Sequence, residues 1–208
     1  MGSARGIVCL ALVSSCLAGV AAAATDEGFK PLFDGKTLAG WQGDPELWSV
    51  EDGMIVGTTD HKKISHNSFL ATEKSYKNFV LKLKFKLRNG NSGVQIRSKL
   101  HDDFRVTGYQ PDIAESRYTG ILYEEGGRGI LADVDQNEVA KHFRRHDWNE
   151  LVITCDGPHI KQQLNGFTTV DYREQSDQSA KEGIIALQLH VGPKMRIWFK
   201  DLQIKELP

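Results

Sequence analysis

The chain has 208 residues, a formal net charge of −1 at pH 7, 40% hydrophobic and 25% charged residues. These values suit one soluble domain with a sizeable core. A charge so close to zero supplies no global field for nucleic acid or an acidic membrane surface, so no nucleic-acid partner is expected.

The first segment reads as a targeting sequence. Arg5 gives a short positive start, and "GIVCLALVSSCLAGVAAAA" is an apolar, small-residue run. Ala22 and Ala24 have the A-x-A spacing of a signal-peptidase site, so residues 1–24 are expected to be a signal peptide and the protein secreted or periplasmic. The run is too rich in Ala, Gly and Ser for a transmembrane span, which needs roughly 20 strongly apolar residues. A competing reading takes "VSSC" at 13–16 as a lipobox with a lipidated Cys16; Leu17 and the Ala run behind it weaken that reading. Once Cys9 and Cys16 are removed only Cys155 remains. It ends the apolar run "LVITC", which points to a buried thiol in a fold without disulfides.

From Gly28 onward the pattern is β, and a single domain is expected over 28–208. Strands are predicted at 47–50, 53–57, 68–72, 92–98, 107–114, 119–123, 149–155, 158–164, 167–172, 183–190 and 195–206. The clearest element is "NFVLKLKFKLR". There Phe79, Leu81, Leu83, Phe85 and Leu87 alternate with Val80, Lys82, Lys84 and Lys86, giving one buried and one cationic face. Asp52-Gly53, Asp156-Gly157 and Asn165-Gly166 are hairpin dipeptides, and the last two make 148–172 a three-stranded meander. One short helix is expected within 136–146. Many short strands at regular spacing predict an all-β fold, a two-sheet jelly-roll sandwich.

Alternation also sorts the polar residues. Gln95 shares a strand face with Arg97, Gln110 with Asp112, and Gln188 with His190. Solvated faces are the bland reading. The lysine row at 82–86 shows such a face: long, like-charged side chains. The Gln, Asp, Arg and His sets instead have directed hydrogen-bonding geometry that suits sugar hydroxyls. Tyr109, Tyr118 and Tyr123 are candidate aromatics for stacking, though core packing suits them as well. Taken together the sets suggest a polar concave sheet.

Two motifs mislead. "DVDQNE" at 133–138 looks like a carboxylate strand of an endoglycanase and opens like a calcium loop. An EF-hand would need Gly where Glu138 stands and an acid where Arg144 stands, so a loop is expected. "KHFRRHDW" reads as surface, without the spacing of a zinc site.

The ordered segments "FKPLFDGKTLAGW", "LWSVEDGMIVG", "NSGVQIRS", "GYQPDI", "TGILYEE", "WNELVITCDG" and "GIIALQLHVGPKMRIWFKDLQIKEL" cover 29–206. As a set they resemble the 3-keto-disaccharide hydrolase family, DUF1080. The resemblance implies a concanavalin A/laminarinase-like jelly roll exported by glycan-degrading bacteria. It also implies cleavage of 3-keto-glycosides by 1,2-elimination of the aglycone and hydration of the product. On that reading His190 and Asp112 serve as acid and base, in either order, and Glu124 or Glu125 is a second carboxylate. Arg97 or a bound divalent cation would stabilise the enolate, although no spacing specifies a metal site and no other cofactor is implied. Gln95, Gln110 and Gln188 would position hydroxyls, with Tyr109, Tyr123 and Arg128 completing the substrate-binding set. The chemistry implies a sugar 3-dehydrogenase as the supplier of substrate. Many family members carry a Glu-x-Gln-x-x-Asp-like segment, whereas this chain has Asp112 two residues after Gln110. It resembles a subgroup with "GYQ-x-D" and "YEE-x-x-R", to which Glu124, Glu125 and Arg128 belong. The alternatives are a non-catalytic glycan-binding module and an ordinary endoglycanase using paired carboxylates.

Overall fold

Residues 1–2, 27–177 and 179–208 are described by the computed structural model. The signal-peptide reading, with Cys9, Cys16, Ala22 and Ala24, lies outside the described residues. Fifteen strands and one α-helix follow in chain order: β1 (Lys30–Pro31), β2 (Trp41–Gln42), β3 (Trp48–Glu51), β4 (Met54–Thr58), β5 (Ser68–Tyr76), β6 (Phe79–Arg88), β7 (Asn91–Leu100) and β8 (Val106–Ala114), with a one-turn 3-10 helix at Asp102–Phe104 between the last two. After these come β9 (Leu122–Glu125), β10 (Gly129–Ala132), α1 (Gln136–His142), β11 (Asn149–Asp156), β12 (His159–Leu164), β13 (Phe167–Arg173), β14 (Gly183–Leu189) and β15 (Arg196–Glu206). Two antiparallel sheets result. An eight-stranded sheet has the order β13-β12-β11-β6-β15-β4-β3 with β1 added beside β15, and a seven-stranded sheet has the order β10-β9-β8-β7-β14-β5-β2. This is the expected jelly-roll sandwich. Among the described residues no helix is long and apolar enough to cross a membrane.

The alternation on β6 builds the first sheet. Phe79, Leu81, Leu83, Phe85 and Leu87 are all buried. The register sets Leu83 opposite Leu151, Leu81 opposite Ile153 and Phe85 opposite Phe199, so three strands contribute to one apolar layer. Each such side chain contributes roughly 1.5–3 kcal/mol by leaving water. The lysine row on the reverse face is more than a solvated surface. Lys86 lies between Trp198 and Trp148, 4.7 and 5.3 Å from their ring centroids, and Lys84 pairs with Asp201 at 2.9 Å. The Lys86 ammonium thus sits over two indole rings as a cation–π contact.

The turns follow their residues. Asp52-Gly53 and Asn165-Gly166 both take positive φ at each position, as a tight two-residue hairpin demands. The meander β11-β12-β13 forms as predicted. Cys155 is buried, and that burial pushes its thiol up to about 12, so it stays protonated and inert. Two stretches depart from expectation, while the short helix falls inside the expected 136–146. "DVDQNE" forms its start: Asp135 is the N-cap and accepts from Asn137 N at 2.8 Å. The glycine-rich stretch at 125–130 is the turn of a hairpin that adds β10 to the sheet edge.

Candidate functional site

The inner face of the seven-stranded sheet supplies Val94, Ile96, Leu187 and Leu189 to the common core. The other face carries the polar sets, and most of them are buried. Ser98 Oγ donates to Gln95 Oε1 at 2.6 Å; Gln95 Nε2 donates to Gln110 Oε1 at 2.8 Å; Gln110 Nε2 donates to Asp112 Oδ1. Gln110 Nε2 also lies 3.4 Å from Gln188 Oε1. The chain has a direction, because each amide accepts from one neighbour and donates to the next. It begins at a hydroxyl and ends at a carboxyl. Gly93 makes room for it. A Cβ there would stand 2.6 Å from Gln110 Cγ and Cδ. Gly93→Ala is therefore expected to displace Gln110 and cost about 1–3 kcal/mol, read as a lower urea midpoint. An unchanged midpoint would mean the strand has slack.

A pocket of about 460 Å³ opens over the end of this chain, lined by Asn67, Asn91, Gln110, Asp112, Tyr118, Tyr123, Glu125, Ile130 and His190. Strands β7, β8 and β9 and the ends of β5 and β14 thus converge on one place. Asn67 ties two of these together. Its Nδ2 donates to Glu125 Oε1 at 3.0 Å, and its Oδ1 accepts from Val191 N at 2.9 Å, just after His190. Two buried polar atoms here lack partners, Asn91 Oδ1 and Gln188 Nε2. Such atoms are uncommon in native interiors and mark a place where a further polar group is missing.

Asp112 is the electrostatic centre. Burial raises its carboxyl from the ordinary 3.8 to about 7; the Gln110 hydrogen bond opposes the rise and the charge of Glu125 adds to it. A carboxyl poised near neutrality can take or give a proton under working conditions. Its main-chain N–H and C=O are held by Ile121 O and Gly120 N at 3.1 Å, so the group is rigidly placed. His190 Nδ1 contacts Val191 O. An N–H on Nδ1 donating to that carbonyl leaves Nε2 for exchange with a ligand. Asp112, Glu125 and His190 line one pocket, yet among the described residues no three His, Cys, Asp or Glu side chains converge closely enough to hold a metal ion.

The remaining sequence candidates fall elsewhere. Gln95 and Gln188 lie fully buried, Gln95 behind the pocket wall as a link in the amide chain. Arg97 does not share the face of Gln95. A register shift between Ile96 and Lys99, with φ +47° at Arg97, turns its side chain toward the β5–β6 and β11–β12 turns at one end of the sandwich. There it donates to Lys77 O and Gly157 O, both at 2.6 Å, and to Asn78 Oδ1 at 3.0 Å. Tyr109 is buried in the core and its hydroxyl donates to Glu174 Oε2 at 2.6 Å. Glu124 points away from Glu125. Arg128 binds it through Nε at 2.6 Å and binds Glu174 through Nη2 at 2.7 Å. The Arg128 guanidinium holds Glu174 down at about 2 and Glu124 below its ordinary value. Tyr109, Glu124, Arg128 and Glu174 thus form a structural cluster outside the polar pocket. Asn67 and Asn91 were missed by sequence reasoning. Asn91 was within reach, since the alternation Gln95, Gly93, Asn91 runs two residues further upstream. Nothing local marked Asn67.

Solved structures share this fold. A candidate glycosyl hydrolase from Parabacteroides distasonis has a TM-score of 0.67 at 23% identity, over 87% of this chain and 95% of its own. A second from the same organism has a TM-score of 0.63 at 25% identity, over 86% and 99%. A carbohydrate binding module from Bacillus subtilis has a TM-score of 0.61 at 14% identity, over 80% and 96%. No curated protein matches the chain. The profile of the 3-keto-alpha-glucoside-1,2-lyase-like domain matches residues 28–205. With most of its length matched, this carbohydrate-related jelly-roll chain belongs to the 3-keto-alpha-glucoside-1,2-lyase-like family.

Proposed function

We propose that the polar pocket cleaves 3-keto-glycosides by elimination, and that Asp112 and His190 are its base and acid. The C3 ketone acidifies the C2 hydrogen. Ionised Asp112 takes that proton, and the electron pair passes into the C3 enolate. The enolate then collapses to form the C1–C2 double bond as the C1–O bond breaks. His190, protonated on Nε2, gives its proton to the departing oxygen. Water then adds across C1 and C2, placing hydroxyl on C1 and a proton on C2, which leaves a free 3-keto sugar. The observation that carries this reading is a buried carboxyl with a pKa of about 7 lining the same pocket as an imidazole. The amide of Asn91 and the hydroxyls of Tyr118 and Tyr123 line that pocket too and are the donors available to an enolate oxygen. No step is routed through a metal.

The substrate must first be oxidised at C3, so a sugar 3-dehydrogenase is the class of enzyme that supplies it. Export through residues 1–24, or anchoring through Cys16, would place the reaction outside the cytoplasm. The test incubates the purified protein with a 3-keto-glucoside, with and without chelator, and follows the aglycone released and C2 deuterium lost. His190→Ala is expected to release aglycone about 10²-fold more slowly. Full loss with chelator would require a cation in the mechanism. A binding module is the second reading, favoured by the likeness to a carbohydrate binding module. Binding without turnover, unchanged in His190→Ala, would select it.

A further inference from the structure

A second cavity of about 620 Å³ adjoins the polar pocket and shares Asn67, Glu125 and His190 with it. Its chemistry is different. Phe69 and Val106 line it and are 1% and 3% exposed. Both belong to a small apolar cluster, with Ala71, Ile184 and Ala186, that is separate from the main core. The register places Phe69 directly opposite Gln188, so this cluster continues the sheet face that carries the buried amides. One face therefore runs from hydrogen-bonding to apolar, and the change falls at His190. The exposed rim of the second cavity includes His101, Asp102, Arg105 and Val191.

We propose that this second cavity is the aglycone subsite and that it takes an aromatic aglycone, so that aryl 3-keto-glycosides are the preferred substrates. The inference rests on the elimination reading above. Asp112 lines only the polar pocket, where the oxidised ring is held. His190 and Glu125 line both, so the C1–O bond spans the junction and the leaving group enters the second cavity. A second sugar there would find partners only for the hydroxyls that reach the rim, at His101, Asp102, Arg105 and Thr107, and would lay the others on a floor of Phe69 and Val106 that offers none. A planar aromatic ring gains from burial on that floor and from edge or face contact with Phe69. A guanidinium such as that of Arg105 also packs well on an aromatic ring.

Phenyl and methyl 3-keto-glucosides are the probes. Titration of both into the Asp112→Asn protein separates binding from turnover. The phenyl compound is expected to bind about tenfold more tightly. Adding Val106→Phe, which fills the cavity, should remove that advantage while leaving methyl binding unchanged. Phe69→Leu in the same background should reduce it about threefold and serves if the filled variant does not fold. Equal affinity for the two probes, or an advantage that survives both substitutions, overturns the proposal. Phenyl preference in binding with no cleavage of either probe by the unaltered protein would instead overturn the lyase reading and leave an aryl-glycoside binding site.

Discussion

Replacing Asp112 by Asn is expected to lower kcat/KM on a 3-keto-glucoside by about 10³-fold while making the protein more stable above pH 7. The two effects have one cause. Burial raises the folded carboxyl from 3.8 to about 7. Between those values the folded state binds a proton that the unfolded chain has already released. Stability therefore falls as pH rises from about 4 to about 7, and the full penalty is present above 7. A rise of about three units corresponds to about 4 kcal/mol. An amide has no such titration, and its oxygen still accepts from Gln110. Asp112→Asn should thus unfold at a higher denaturant midpoint than the parent at pH 8, with the two converging near pH 4. The activity profile follows the same group. As a base Asp112 must be ionised, so kcat/KM should climb with pH through about 7; as the acid His190 must keep its Nε2 proton, so the profile should fall again at higher pH. The variant should lose the rising limb. A parent profile that instead falls through 7 would make Asp112 the acid and His190 the base. Equal midpoints at pH 8 would show that the carboxyl is not paying for its burial.

Stability and site chemistry pull against each other here in a way that explains the amide chain. A buried carboxyl close to neutrality is useful only if its orientation is held. Gln110 holds one oxygen and Gln95 holds Gln110, with Ser98 fixing the sense of the whole. None of these three needs to touch substrate for the carboxyl to be aimed. Residues that read in sequence as hydroxyl-binding glutamines thus divide into one that faces the pocket and two that lie behind it.

That division marks the limit of period-two reasoning. Alternation assigned β6 and the polar faces of β8 and β14 correctly, because the register shifts in these pairs fall outside Gln110–Asp112 and Gln188–His190. It misplaced Arg97, since one residue with φ +47° reverses every later side chain on that strand. Glu124 and Glu125 could not be separated without the parity of β9. Asp112 on β8, Glu125 on β9 and Asn67 just before β5 meet only because of strand order, which no local pattern records. The family resemblance carried the fold and the proposed reaction. The apolar half of the sheet face was invisible to both, because Phe69 and Val106 look like ordinary core residues.

Arg97→Ala is expected to unfold the protein more easily by about 3 kcal/mol without changing KM for any ligand of the polar pocket. Arg97 is 3% exposed, and its three hydrogen bonds go to neutral oxygens. It pins the chain at Lys77 and Asn78, between β5 and β6, to the β11–β12 turn at Gly157, and so joins the two sheets at one end of the sandwich. Removing it deletes charge-assisted hydrogen bonds to the carbonyls of Lys77 and Gly157, each worth about 1.5–3 kcal/mol, while Asn78 Oδ1 keeps its bond from Gly157 N at 3.1 Å. For a chain of this size the loss corresponds to a Tm lower by about 6–12 °C. Arg97→Lys keeps the charge but has no planar fork to reach two carbonyls at once, so it should recover less than half of the difference. Neither variant should alter the pH limb set by Asp112. If Arg97→Ala kept its Tm and raised KM instead, the guanidinium would be reaching substrate and the bulge would not fix its direction.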